Sequence, residues 1–245
     1  MKDIYAVLWG DLRVLRRRFG RVLVSGLMSP VLYLVAFGWG LGRGIQMGNT
    51  SYLHFVLPGI IALTTMNGSY NGAGSKLNVA KLYYRTWDEY MMAPVSVPSL
   101  VLGKAMVGAI RGLLSAAMIT ATALLIVPSM RITPLFLSTL LLTSLTFGLM
   151  GVLAALLAKS HDDMATFSNL VLLPMTFLGG TFFSPSGIPP VLKALIYFLP
   201  LTNVSQCLRA EALGLAFPWV SLGVTAGYAL LFFAASVRVG QITSL

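Results

Sequence analysis

Residues 76–104, KLNVAKLYYRTWDEYMMAPVSVPSLVLGK, interrupt an otherwise apolar chain with a stretch that is both basic and amphipathic. Its centre, Trp87-Asp88-Glu89-Tyr90-Met91-Met92-Ala93-Pro94, reads as a short helix. Ala93 is its stop, because the residue before a proline is biased away from helical backbone angles. The stretch is too polar to span a bilayer and too apolar for a plain solvated loop. Trp87, Tyr90, Met91 and Met92 supply aromatic and adaptable apolar bulk. Two readings follow: a docking helix offered to a cytoplasmic partner, or an interfacial helix lying on lipid headgroups.

The composition around this stretch sets the class. The 245 residues are 57% hydrophobic and 10% charged, against about 25% charged in a soluble domain. The chain is expected in a membrane. A net charge of +10 invites a nucleic-acid reading, but the cations flank apolar runs, which makes them topology charges rather than a phosphate groove. One cysteine, Cys207, leaves no internal disulfide and no Cys-based metal site.

The N-terminal residues 3–20 place Ile4, Val7, Leu8, Leu12, Leu15 and Phe19 at helical spacing, with Asp11, Arg13, Arg16, Arg17 and Arg18 filling much of the remainder and Arg21 following. This is an amphipathic helix for a membrane interface; a plain positive anchor would need the arginines but not the apolar stripe. The following run, 22–39, is longer than a signal-peptide core and is read as a retained membrane helix. Six spans are expected, at about 22–41, 53–73, 105–127, 134–158, 164–183 and 218–237, in a single transmembrane domain. One side carries Lys2, Arg13, Arg16, Arg17, Arg18, Arg21, Lys76, Lys81, Arg85, Lys104, Lys159 and Arg238; the other carries Arg43, Arg131, Lys193 and Arg209. That bias puts both termini in the cytoplasm. Arg111, about one turn inside the third span, snorkels or faces protein.

The second span is the most polar. Thr64, Asn67 and Asn71 share one face, which lines a path or bonds to neighbouring helices. Small residues at Gly108, Gly112 and Ala116, and at Ser144, Gly148 and Gly151, suit close helix packing. The fifth span carries Thr166, Asn169, Thr176 and Gly180 on one face around Pro174, which predicts a kink. Between them His161-Asp162-Asp163 makes a turn with too few ligands for a metal, and an Asp is expected as a helix N-cap. Residues 188–213 read as two short external helices broken at Pro200, with Arg209 and Glu211 facing the outer interface.

Certain chemistries are missing. Neither 68–76 (GSYNGAGSK) nor Gly103-Lys104 has the spacing of a phosphate-binding loop. No ionisable group sits mid-span, as a gradient-coupled carrier would need. Ser69 has no histidine in a later span to act as its base, which argues against an intramembrane serine protease.

Several pieces together resemble the ABC-2 type permeases, the membrane subunits of bacterial ABC exporters, and most nearly their drug, lipid and lipo-oligosaccharide branch. They are Phe55-Val56-Leu57-Pro58-Gly59, the 87–95 segment before Leu102-Gly103-Lys104, Phe147-Gly148-Leu149-Met150-Gly151, Lys159-Ser160-His161-Asp162-Asp163, Phe177-Leu178-Gly179-Gly180-Thr181-Phe182-Phe183, Tyr197-Phe198-Leu199-Pro200-Leu201-Thr202 and Arg209. Relatives more often place an apolar residue around the glutamate of Trp87-Asp88-Glu89-Tyr90.

The resemblance implies an all-α membrane protein of the bacterial inner membrane. It would have an interfacial helix, a cytoplasmic coupling helix at about 86–94 and re-entrant external helices. Two copies would pair with two ATPase subunits that hold the ATP and magnesium; this chain would carry no cofactor and no catalytic residue. Arg85, Trp87, Asp88, Glu89, Tyr90, Met91, Met92 and Pro94 are the expected docking residues. Thr64, Asn67, Asn71, Asn169 and Thr176 are the expected path for an amphipathic lipid, glycolipid or drug-like substrate. Phe177, Phe182 and Phe183 form an outer gate or anchor in lipid. Membrane lipids are expected partners and nucleic acid is not. The competing reading is a secondary carrier or channel-like protein that works without an ATPase.

Overall fold

The computed structural model describes residues 2–17, 46–47, 50–84, 86–93, 95–183 and 189–242, with isolated positions 20, 28, 31–32 and 35–36. The expected first span, 22–41, therefore lies outside the described residues apart from those positions. The described chain is almost entirely helical. Helix α1 (Lys2–Arg17) is followed by a two-residue antiparallel pairing of β1 (Gln46–Met47) with β2 (Thr50–Ser51). Then come α2 (Tyr52–Leu82), α3 (Thr86–Met92), α4 (Val97–Ile126) and α5 (Pro134–Leu157). Helix α6 is built of three consecutive pieces: His161–Phe167, a π-turn at Ser168–Leu172, and Leu173–Leu178. Helices α7 (Pro190–Phe198), α8 (Pro200–Leu213) and α9 (Trp219–Ile242) complete the chain.

Local chemistry sets these boundaries. Thr133 caps α5 by accepting the Phe136 N–H at 3.0 Å, and Pro134 fills the first helical position, where its missing N–H leaves no bond unmade. Helix α6 opens with a capping box: Ser160 accepts from the Asp163 N–H, and the Asp163 side chain reaches back to the Ser160 N–H. The expected aspartate cap is thus corrected: serine holds the N-cap position and the aspartate acts from the third helical residue. The expected kink near Pro174 takes the form of the π-turn. A proline cannot donate to the preceding turn and its ring crowds the carbonyl there, and one wider turn relieves both. The helix ends at Leu178, earlier than the expected 183, since Gly180 turns the chain with a φ of 67°.

Helix α2 is the organising element. It packs along its length on α4 and α5, at its start on α8, and at its end on α3, while α9 covers α5. Close approach comes from small residues, as the spacing predicts. Gly108 and Gly112 of α4 face Ser69, Ala73 and Thr65 of α2, and Gly151 of α5 faces the Tyr70 backbone. Tyr70, Phe136, Phe147 and Met66 fill the larger core.

Helices α4, α5 and α9 are long and apolar enough to cross a membrane by length and composition. Helix α2 outruns its expected end at 73. Its 31 residues reach about 46 Å, beyond a hydrocarbon core of about 30 Å. The extra turns are held because Leu77 and Asn78 are buried against neighbouring helices.

Candidate functional site

Helix α3 has two unlike sides. Trp87 turns inward, 2% exposed, and its ring packs toward Gly240 of α9 in a core shared with Leu77, Leu100 and Val101. Glu89 is exposed and Met92 is 88% exposed. Tyr90 is half-buried beneath Lys104. Arg85 and Pro94 lie outside the described residues, as do the side chains of Asp88 and Met91. Of the expected docking residues, the described surface of α3 therefore offers Glu89 and Met92, while Trp87 fixes the helix to the protein.

Behind α3 three elements meet on one charge. The Lys104 Nζ of α4 donates to the Asp11 carboxylate of α1 at 2.8 Å and lies 5.0 Å from the centroid of the Tyr90 ring. Both charged side chains are largely withdrawn from solvent, where an ion pair is less screened than at a free surface. In the sequence Lys104 reads as a topology charge and as the end of Leu102-Gly103-Lys104, not as a partner of Asp11. The partners lie 93 and 14 residues away, and no local periodicity reports such a meeting.

The far end of α2 joins the same side of the molecule. Lys81 Nζ donates to the carbonyls of Leu156 at 2.7 Å and Ala158 at 3.2 Å, satisfying the end of α5 with a cation where the helix dipole favours one. Asn78 donates to the Ser160 carbonyl at 3.4 Å and meets His161 Nδ1 at 3.1 Å. Beside this, the Lys159 and Ser160 N–H groups hold the Asp163 carboxyl below the usual carboxylate range.

The expected path residues divide. Asn67 and Asn71 come together on the open side of α2. Asn71 Nδ2 donates to the Asn67 carbonyl at 3.0 Å, and Ser75 Oγ donates to Asn71 Oδ1 at 3.2 Å. Thr64 and Thr176 are buried and donate to the carbonyls four residues before them, Ile60 and Leu172, at 2.7 Å and 2.8 Å. Asn169 is exposed on the π-turn. Of the expected gate, Phe177 and Phe182 lie together with centroids 6.4 Å apart; Phe177 is half exposed and Phe182 is buried. Phe183 is half-buried.

At the opposite end, Arg209 corrects an expectation. It does not face the outer interface. It is buried, and donates through Nε to the Phe55 carbonyl at 3.0 Å and through Nη2 to the Gly180 carbonyl at 2.8 Å. Tyr52 adds a parallel tie, donating to the Phe182 carbonyl at 2.9 Å. Glu211 is likewise drawn in and accepts from the Thr133 hydroxyl. The helical spacing of α8 puts Arg209 on the same side as the buried Ser205 and Ala212, a signal that outward-facing charge had obscured.

Comparison with known proteins agrees in coverage along the chain. A family profile described as ABC-2 type transporter matches residues 2–212. The inner membrane transport permease YadH of Escherichia coli strain K12 is 33% identical over 224 residues, covering 89% of this chain and 86% of its own. Nodulation protein J of Neorhizobium galegae is 28% identical over 223 residues, covering 89% of this chain and 84% of its own.

Proposed function

The chain belongs to the ABC-2 type transporter family, and from that premise we propose that it is the membrane permease of an ATP-driven exporter in a bacterial inner membrane. Two copies pair with two ATPase subunits, which bind the ATP and magnesium. Helices α2, α4, α5, α6 and α9, with the segment at 22–41, make six spans, and both termini are cytoplasmic. Helix α1 lies in the inner interface, and α7 and α8 dip into the outer leaflet. The observation that carries the reading is α3, anchored by Trp87 and presenting Glu89 and Met92 at its surface. A short helix fixed on one side and open on the other transmits a push from a partner instead of absorbing it. The contact from Tyr90 through Lys104 to Asp11 carries that push into α4 and α1.

The substrate is amphipathic, lipid-like or glycolipid-like, and moves along the polar strip of Asn67 and Asn71, with Asn169 contributing from the exposed π-turn and Thr64 and Thr176 from buried positions. Phe177, Phe182 and Phe183 close the outer end. The test is purification of the tagged chain in mild detergent after expression with its neighbouring genes, followed by an ATPase assay. An ATPase that co-purifies, and is lost with Glu89→Arg while the chain stays in the membrane, is the expected result. A chain that purifies alone and without nucleotide-dependent activity would overturn the reading.

A further inference from the structure

Helix α1 has an open side as well as a packed one. Val7 is buried and Asp11, one turn later, is held by Lys104 at 2.8 Å, so these two residues turn one side of the helix toward α4. On the opposite side the Tyr5 and Trp9 rings stack with centroids 5.9 Å apart, and the Arg13 guanidinium lies 5.6 Å from the centroid of Trp9. Helical spacing places Arg16 on that side too. Both rings are more than half exposed, and both arginines are exposed. The charge of the segment is lopsided: residues 1–21 carry Lys2, Arg13, Arg16, Arg17, Arg18 and Arg21 against Asp3 and Asp11, and Asp11 is the one already bound to Lys104.

The Asp11–Lys104 pair also sets the depth of α1. The exposed residues of α4 are Met106, Ala117, Ala121, Leu125 and Ile126, all of them apolar. From Met106 to Ile126 the helix rises about 30 Å, the thickness of a hydrocarbon core. Lys104 lies about 3 Å beyond that length, so Asp11 joins α4 in the headgroup layer. The open side of α1 then looks away from the protein into the same layer. Tyrosine and tryptophan favour that depth, and arginine donors suit phosphate oxygens.

We infer that the Tyr5, Trp9, Arg13 and Arg16 side of α1 is a seat for anionic phospholipid headgroups of the surrounding membrane. Arg13 and Arg16 take the phosphates, and the two rings lie among the glycerol groups. Stacking on Trp9 holds the Arg13 guanidinium in place before a lipid arrives. The excess of cations favours a headgroup of net negative charge over a zwitterionic one. The inference deepens the permease reading, on which it rests for placing α1 at the inner leaflet, by naming the lipid class that this helix recognises.

The test incubates the detergent-purified full chain with equal amounts of phosphatidylglycerol and phosphatidylcholine and reads the retained lipids by native mass spectrometry. The wild-type chain is expected to favour phosphatidylglycerol. Arg13→Gln and Arg16→Gln are each expected to lower that preference about fivefold, the scale of one cation near an anionic surface, and lysine at either position to regain most of it. Equal retention of both lipids by the wild-type chain, or an unchanged preference when both arginines are replaced by glutamine, overturns the seat. A second measurement locates the contact without altering the arginines. The Trp9 fluorescence, taken as the difference between wild type and Trp9→Phe in phosphatidylglycerol vesicles, is expected to be quenched by a lipid carrying a headgroup nitroxide and shielded from aqueous acrylamide. A Trp9 open to acrylamide and untouched by the nitroxide would leave this side of α1 to a protein partner and overturn the inference. Neither measurement uses ATP or an ATPase, so both fail separately from the permease reading.

Discussion

The Arg209 Nε donates to the Phe55 carbonyl across 154 residues of sequence, at 3.0 Å, and the guanidinium lies 3.7 Å from the centroid of the same residue's ring. Its other arm reaches the Gly180 carbonyl. One side chain on α8 thus ties the first turn of α2 to the turn that follows α6. Replacing it with methionine keeps the bulk and strands the Gly180 carbonyl, a buried acceptor outside any helix. The expected cost is about 1–3 kcal/mol, read as a lower melting temperature in detergent. Arg209→Lys is expected to recover only part, because an ammonium on a flexible stem does not reproduce a two-armed planar donor. A melting temperature unchanged by Arg209→Met would remove the tie from the account.

Helix α3 predicts opposite outcomes from neighbouring residues. Trp87→Ala empties a site that is 2% exposed and is expected to cost about 3–5 kcal/mol, with loss of protein from the membrane fraction. Glu89→Arg and Met92→Ala alter exposed side chains and are expected to leave the melting temperature within about 0.5 kcal/mol of wild type, while ATP hydrolysis no longer drives transport. Normal coupling in both surface variants would argue against docking through this helix.

The Asp11–Lys104 pair predicts a coupling that single variants do not separate. Asp11→Asn and Lys104→Met each leave one partner withdrawn from solvent without its counter-charge. The double variant removes both charges. A double-mutant cycle on thermal stability is expected to give an interaction of about 0.5–3 kcal/mol, with the double variant less destabilised than the sum of the two. Additive losses would mean that the pair is a passive contact.

The Ser160–Asp163 capping box gives a pH dependence with a definite sign. Hydrogen bonds from the Lys159 and Ser160 N–H groups depress the Asp163 pKa in the folded protein. Its contribution is therefore present above the ordinary carboxylate range and is lost as pH falls through the depressed folded value. Protection of the first α6 amides from hydrogen exchange should decline on acidification in wild type and be lower and flatter in Asp163→Asn. An acid response unaltered by that substitution would place its origin elsewhere.

What the sequence disclosed follows from the range of each interaction. Periodicity and proline placement located α5 to the residue at its start, the short α3, and the two helices divided at Pro200, because those signals act within a turn or two. The 76–104 stretch was legible as amphipathic, but not which side of it would be buried. Trp87 is anchored by Gly240 of α9, far along the chain. Arg209 was misplaced for a related reason. A charge in a loop between spans is ordinarily solvated, and only the folded chain brings two backbone carbonyls and a ring to it. The extension of α2 to Leu82 was missed because hydropathy marks where lipid ends, not where a helix ends.

The glycines of the helix contacts give the sharpest separation between packing and propensity. A Cβ at Gly151 would fall 2.5 Å from the Tyr70 carbonyl oxygen, and one at Gly108 would fall 2.6 Å from the Ser69 carbonyl oxygen. Neither obstacle is a flexible side-chain end; both are backbone of α2, which must then move away from α4 or α5. Gly223 and Gly227 of α9 have nothing within 4 Å of such a Cβ. Gly→Ala at 151 or 108 is expected to cost about 1–3 kcal/mol from overpacking. The same change at 223 or 227 is expected to stabilise by about 0.4–1 kcal/mol, through the lower conformational entropy of the unfolded chain. Melting temperatures of the four single variants, measured in one detergent, decide the matter. A loss at all four positions would mean that the exposed face of α9 is itself a contact surface in the assembled protein, whereas no loss at 151 and 108 would mean that α2 has room to yield.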